Sequence, residues 1–379
     1  MCRRPVAQRK AGTSVADGGG HMDMRKTNHL GVVCCVRIFL NPFRTGCVNN
    51  VSYLISLLDK SPIPEGASAA DALAHTVLQA RRAEALGYHR FWVAEHHGTP
   101  GLAGSAPELL VAHILAKTSR IRVGSGGVML QHYSPYKVAE SFRLLAALAP
   151  GRVDLGVGKA PGGLPLSTRA LQAWQDPARK PDFNAQLTQL DAYLSQTVAV
   201  DEALVAPVPP ELPQRVLLGG SPGSARLAAG LGWDFCYAGH FNGDPANIEQ
   251  SLAAYERVTG RVPSLALYAY AAPTAEEAAA QVGELRIHKV HLADGLSVNL
   301  PSLAAAAEYA RQAGMANYRS EETRPHVLTG TADQVHEALD RLHRRYRIPE
   351  FVIDTPVIPF ALRRQSIELL GEALSSVAA

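Results

Sequence analysis

From Val51 onward, apolar runs of about five to eight residues alternate with stretches whose apolar positions recur every three to four residues, the pattern of repeated βα units. The runs predict eight strands, at Ser52–Leu58, Phe91–Glu95, Ile121–Val128, Val153–Gly158, Arg215–Gly219, Phe235–Gly239, Leu265–Ala271 and Phe351–Thr355. Helical spacing covers Pro107–Lys117, Pro135–Leu148, Ser224–Leu231, Pro245–Val258, Ala275–Ile287, Ala332–Tyr346 and Phe360–Leu374. A further helix begins near Ser68 and Asp71, which form a capping-box pattern, runs through Leu73, Val77, Ala80 and Ala83, and stops at Gly87. Eight strands, each followed by a helix, is the count of a closed (β/α)8 TIM barrel, with an open doubly wound sheet as the alternative. Two connections are long, Ala160–Gln214 with its own helix (Phe183–Leu194) and His288–Thr329 with helical pattern around Leu303–Ala313. These insertions after strands 4 and 7 are expected to shape or cover a site and to set substrate choice.

Residues 1–50 break the pattern. Arg3, Arg4, Arg9 and Lys10 lead into Gly18–Gly20 without any sustained period, and Val32–Leu40, interrupted by Arg37, is too short to span a bilayer. The expectation is a disordered leader or a start assigned too far upstream, followed by a single domain over 51–379. The 379 residues, 47% of them hydrophobic, suffice for one large barrel or two ordinary domains. A net charge of +3, with the basic residues scattered or near the start, offers no footprint for nucleic acid, and no membrane association is expected. Four of the five cysteines (Cys2, Cys34, Cys35, Cys47) fall in the first fifty residues, which is no disulfide framework and fits a reducing, cytoplasmic setting. Cys236 reads as a buried apolar residue rather than a nucleophile.

In a parallel barrel, ligands meet the carboxyl ends of the strands, so those ends carry the candidate chemistry. The second strand ends in Glu95, His96 and His97. The third ends in Gly124–Gly127, Val128 and Met129, whose glycines imply close approach of a flat ligand, an unusual backbone, or plain tight packing. The fourth ends in Gly158 and Lys159. The fifth ends in Gly219-Gly220-Ser221-Pro222-Gly223-Ser224 and opens a helix, which is either a phosphate cradle or an ordinary turn capped by Ser221. Lys159, on a neighbouring strand, would add a cation and favours phosphate. His240 after the sixth strand either lines the pocket or is a hydrogen-bonded strand-end histidine, and His97 is a further pocket candidate. A metal pair at His96–His97 is disfavoured, because adjacent residues of an extended segment point to opposite sides and no second ligand cluster appears.

These residues resemble the bacterial luciferase-like flavin-dependent monooxygenases. The resemblance runs from about Leu54 to Leu374 and rests on AEHHG at 94–98, RIRVGSGGVML at 120–130, HYSPYKVAE at 132–140, PGRVDLGVGKAPG at 150–162 and GGSPGSARLA at 219–228. It implies a TIM barrel that binds FMN at the carboxyl face, with the phosphate at Ser221 and Ser224. His96 then falls at the catalytic imidazole, with Glu95 orienting or tuning it. A non-prolyl cis peptide is implied in the Gly127–Val128 region. Two departures stand out: Lys159 where relatives often carry Arg, and Gly162-Gly163-Leu164-Pro165 where they often read Gly-Thr-Asp. The resemblance further implies reduced FMN and O2 acting on a small organic substrate, reduction by NAD(P)H or a partner flavin reductase, and a homodimer. A deazaflavin-dependent hydride transfer and a non-catalytic flavin-binding protein are the alternatives.

Overall fold

In the computed structural model, residues 53–176, 178–195, 203–240, 243–292 and 297–375 are described, so the expected leader lies outside them. Twelve strands are present among the described residues: β1 (Leu54–Asp59), β2 (Arg90–Val93), β3 (Arg122–Met129), β4 (Val153–Gly158), β5 (Gln214–Gly219), β6 (Asp234–Ala238), β7 (Ser264–Ala271), β8 (Ile287–His291), β9 (Ser297–Leu300), β10 (Arg319–Thr323), β11 (Val327–Gly330) and β12 (Glu350–Asp354). The helices are α1 (Ala69–Leu86), α2 (Pro107–Leu115), α3 (Pro135–Leu148), α4 (Pro165–Leu171), α5 (Phe183–Ser195), α6 (Pro222–Gly230), α7 (Pro245–Thr259), α8 (Ala275–Gly283), α9 (Leu303–Ala313), α10 (Ala332–Tyr346) and α11 (Phe360–Ser375).

Eight parallel strands pair in the order β7-β12-β1-β2-β3-β4-β5-β6, and β6 pairs back onto β7, which closes the expected barrel. The short β11 lengthens the wall by pairing with the upper part of β7. Local signals explain the boundaries. Ser68 and Asp71 form the capping box of α1, and Gly87 ends it in the left-handed region. The insertion after β4 holds α4 and α5. The insertion after β7 differs from expectation: the helix stops at Gly283 rather than Ile287, and β8, β9 and β10 form a separate antiparallel sheet in the order β10-β8-β9.

Strand alternation sorts the barrel interior into layers. The outward residues, such as Ile55, Phe91, Val123, Leu155 and Phe351, join the main core beneath the helices. Inward, Leu58, Trp92, Ala94, Val216, Cys236, Ala266 and Val352 form an apolar plug. Below it, toward the amino ends of the strands, lies an ionic floor. The fully buried Asp154 accepts from Arg90 at 3.0 Å, from Trp92 Nε1 at 2.9 Å and from Arg122 at 2.5 Å, while Arg90 also reaches Glu350 at 2.7 Å. Cys236 sits in the plug, and burial pushes its thiol up to about 12, so it is the buried apolar residue that was expected.

Replacing one member of the floor leaves uncompensated charge in a dry layer. Asp154→Ala should lower unfolding free energy by about 3–5 kcal/mol. Urea denaturation followed by circular dichroism checks this, and a midpoint close to wild type would show that the floor contributes little.

Candidate active site

Above the plug, the inward alternation continues into the loops at the carboxyl ends of the strands. There β1 delivers Lys60, β2 His96, β6 His240, β7 Tyr268 and β12 Asp354. The three consecutive strands β3, β4 and β5 present glycine instead, at Gly126–Gly127, Gly158 and Gly220. The mouth is therefore lopsided: one side carries polar side chains and the other is bare backbone. The fifth-strand loop and the imidazole of His96 stand at the same end of the barrel.

On the polar side, Lys60 Nζ lies 2.5 Å from Asp354 Oδ2 and donates to the Tyr268 hydroxyl at 3.3 Å. The His240 ring packs edge-on against Tyr268, with centroids 5.6 Å apart. Burial, helped by the charge of Lys60, lowers the pKa of His96 to about 4 and that of His240 to about 4. Both are neutral imidazoles at pH 7. His96 Nδ1 is buried without a hydrogen-bond partner among the described residues, whereas the backbone N–H of His96 is anchored to Gly104 O at 2.7 Å.

Glu95 and His97 occupy the other face of the same segment. Glu95, 1% exposed, lies 2.6 Å from His97 Nε2, accepts from the Tyr133 hydroxyl at 2.9 Å and from the Met129 N–H at 3.1 Å. Tyr133, whose pKa is raised by burial and by Glu95, also lies 3.2 Å from His97 Nε2. This corrects two expectations. Glu95 orients His97 and the loop after β3 rather than His96, and His97 belongs to that seam rather than to the pocket, because period-two alternation sends 95 and 97 outward when 96 points in. His97 N–H also donates to Gly162 O at 2.7 Å, and a Cβ on Gly163 would lie 2.1 Å from His97 O, so the departing Gly162-Gly163 pair is a docking strip for the β2 loop.

On the bare side, part of the glycine pattern is packing. A Cβ on Gly124 would lie 2.2 Å from Asp154 O, and one on Gly127 would lie 2.9 Å from the backbone of Gly156. Between Ser125 and Val128 the β3–β4 register shifts, so that two glycines face one residue of β4. The cis peptide joins Gly126 to Gly127, one bond before the Gly127–Val128 position. Val128 and Met129 follow, both buried. At the fifth loop, Ser221 caps α6 by accepting from Ser224 N–H at 3.2 Å, and the two hydroxyls lie 3.2 Å apart. Pro222, which has no N–H, and Gly223 form the first turn; Ser224 N–H goes to the cap and Ala225 N–H to Ser221 O, so the Gly223 N–H is the early donor of α6 left for an acceptor. Lys159 is exposed at the end of β4. The cap by Ser221 is present, and the same residues would be the ones to meet a phosphate.

Sequence reasoning missed Lys60, Tyr268 and Asp354. The strand-end rule applied to strands 1, 7 and 8 would have found them. It also gave no role to Tyr133 or to His132, which lies 2.8 Å from Pro161 O and accepts from Gln172 at 2.8 Å. Among the described residues, no three His, Cys, Asp or Glu side chains group to hold a metal, and no helix is long and apolar enough to cross a membrane. A cavity of about 550 Å3 lies at the opposite, amino end of the barrel, lined by floor residues such as Arg90, Gln214 and Asp234. Polar groups there pair with one another, Arg90 with Glu350 and both Gln214 and Arg261 with Asp234, so the mouth is kept as the candidate site.

A sequence model of the family described as luciferase-like monooxygenase matches residues 53–347. The chain is 43% identical over 332 residues to the N-acetyl-S-alkylcysteine monooxygenase of Bacillus subtilis (strain 168), covering 84% of this chain and 98% of that protein. It is similar to the solved structure of apo-MsnO8, with TM-score 0.67 and 32% identity, covering 85% of this chain and 98% of the other. The oxygenating constituent of 3,6-diketocamphane monooxygenase from the CAM plasmid of Pseudomonas putida, in complex with FMN, superposes with TM-score 0.61 at 17% identity, covering 85% and 97% of the two chains, and shares the fold.

The neutral histidines link stability to pH. Their folded pKa of about 4 lies below the roughly 6.5 of an unfolded histidine, so on acidification the unfolded chain takes up protons first. Their contribution is full above about pH 6.5 and is lost as pH falls toward 4. Unfolding curves at several pH values should show this loss, and His240→Gln should flatten it. An unchanged slope in that variant would refute the assignment.

Proposed function

Because the chain belongs to the luciferase-like monooxygenase family and is therefore a monooxygenase, we propose that it uses reduced FMN and O2 to oxygenate a small organic substrate at the mouth of the barrel. The observation that carries this reading is the run of glycines at three neighbouring strand ends beside the start of α6, at the same end of the barrel as the His96 imidazole, whose buried Nδ1 has no partner among the described residues. A flat ring needs a wall without side chains, and a phosphate needs N–H and hydroxyl donors.

Bound FMN would supply the electrons and the oxygen activation. The residues suited to hold it are Ser221, Ser224 and the Gly223 N–H for the phosphate, with Pro222, which has no N–H, shaping the turn, Gly220 beside them and Lys159 as the nearby cation. Gly127, Val128, Met129 and Gly158 would flank the ring. His96, kept neutral by burial and by Lys60, is ready to accept a proton at Nδ1 at working pH. Glu95 acts at one remove, fixing through Met129 and Tyr133 the loop that lines the ring. Water exclusion falls to the two insertions. Reduction by NAD(P)H or by a partner flavin reductase completes the cycle. The Bacillus subtilis relative's name brings S-alkylated N-acetylcysteines, which are thioether acids, into the panel of substrates to test.

Two outcomes check the reading. Ser221→Ala/Ser224→Ala should weaken FMN about tenfold in fluorescence titration and leave riboflavin affinity unchanged, since only the phosphate contacts are lost. His96→Gln should retain FMN and slow oxygenation roughly 10²- to 10⁴-fold in an O2-uptake assay with reduced FMN and the panel. Normal turnover in that variant removes His96 from the proton role. Retention of a deazaflavin in place of FMN, with hydride transfer and no O2 uptake, overturns the cofactor and the reaction together.

A further inference from the structure

On the polar side of the mouth, one charged pair enters the reading above only through the charge that Lys60 lends to the field at His96. Lys60 follows β1 and Asp354 ends β12, the adjacent strand, while Tyr268 sits opposite Asp354 in the β7 register. All three continue the inward-facing rows of Leu58, Val352 and Ala266. A salt bridge placed at the top of an apolar plug carries a desolvation cost that hydrophobic residues of similar size would avoid.

We propose that the Lys60 ammonium, backed by Asp354 and Tyr268, receives a carboxylate carried by the organic substrate. An ammonium has three donors. Among the described residues, two polar partners account for Lys60, Asp354 Oδ2 at 2.5 Å and the Tyr268 hydroxyl at 3.3 Å, with the Tyr268 ring 5.0 Å away. One donor remains. The Lys60 side chain is 21% exposed and that of Asp354 only 3%, so the pair presents its positive end to the mouth and keeps its negative end behind. An anion meets the ammonium first, and a cation is turned away by it.

The charge is persistent. Burial works against it, but Asp354 and Tyr268 outweigh burial and hold Lys60 above the ordinary lysine range. Among the inward-facing strand-end positions of the described residues, Lys60 is the only cation. The others are glycines, the neutral His96 and His240, Tyr268 and Asp354.

The pair is also braced. Arg363, 3% exposed, donates to Asp59 Oδ2 at 2.9 Å on the β1 side and to Thr355 O at 2.6 Å and Val357 O at 3.1 Å on the β12 side. Asp59 in turn accepts from Ser61 N–H at 2.6 Å and from the Thr76 hydroxyl at 3.0 Å. The residues flanking Lys60 and Asp354 are thus bolted to each other and to α1 and α11. A receptor whose supports are fixed loses little entropy on binding.

This inference rests on the flavin monooxygenase reading, and the experiment separates the two. The wild type, Lys60→Met and Lys60→Met/Asp354→Asn are compared for affinity toward reduced FMN, and for calorimetric binding and KM toward the thioether acid of the panel and its methyl ester. The double variant guards against misfolding from an unpaired buried carboxylate. In the wild type the acid should bind better than the ester. Both variants should lose roughly 10- to 100-fold in affinity and KM for the acid, the range of a charge-assisted hydrogen bond, with the ester and reduced FMN unaffected. Equal binding of acid and ester by the wild type, or binding of neither, overturns the inference alone when reduced FMN still binds and consumes O2. A loss of reduced-FMN affinity in Lys60→Met with no change in acid preference assigns the ammonium to the reduced ring's own anion and likewise overturns it. Failure of the wild type to bind reduced FMN at all overturns both readings.

Discussion

The period of two along the barrel strands is the constraint on which the mouth depends. Each strand sends alternate residues inward, so a slip of one residue would carry Lys60, His96 and Asp354 from the mouth to the helix side and bring hydrophobic core residues into it. The ionic floor opposes such a slip. Asp154 on β4 holds Arg90 and Trp92 of β2 and Arg122 of β3, and Arg90 reaches on to Glu350 of β12. Their geometry is satisfied in one register only. The chemistry at the carboxyl ends is therefore set by charges buried at the amino ends, with a layer of apolar side chains between.

The eight barrel strands and most helices were legible because each barrel strand is an apolar run bounded by polar or glycine-rich turns, and because caps such as Ser68 and Gly87 stand where the period changes. The antiparallel sheet in the insertion after β7 was not. Its strands are short and polar, β10 (Arg319–Thr323) is exposed along its whole length, and no apolar run announces them. Within the site, the glycine loops and His96 could be read from neighbouring residues. Lys60 and Asp354 could each have been found as strand ends, but not their pairing, since the two residues come from opposite ends of the domain and meet only when the barrel closes. The partner of Glu95 was misjudged because sequence adjacency to His96 was taken for spatial adjacency, which an extended backbone contradicts.

The asymmetry of the mouth accounts for a division of labour. Strands β3, β4 and β5 contribute backbone and leave space, with a donor-rich helix start at one edge. Strands β12, β1 and β2, with β6 and β7, contribute the polar side chains Asp354, Lys60, His96, His240 and Tyr268. The second half also holds the buried Lys60–Asp354 ion pair.

The two insertions are joined to each other. Leu166 at the start of α4 donates its N–H to Gln312 Oε1 in α9 at 3.0 Å, and Arg169 reaches Gln312 O at 3.5 Å. The outgrowth from one wall is thereby stapled to the outgrowth from the far wall. Lengthening or trimming either outgrowth would break its hold on the other, so the two flaps are constrained to change together.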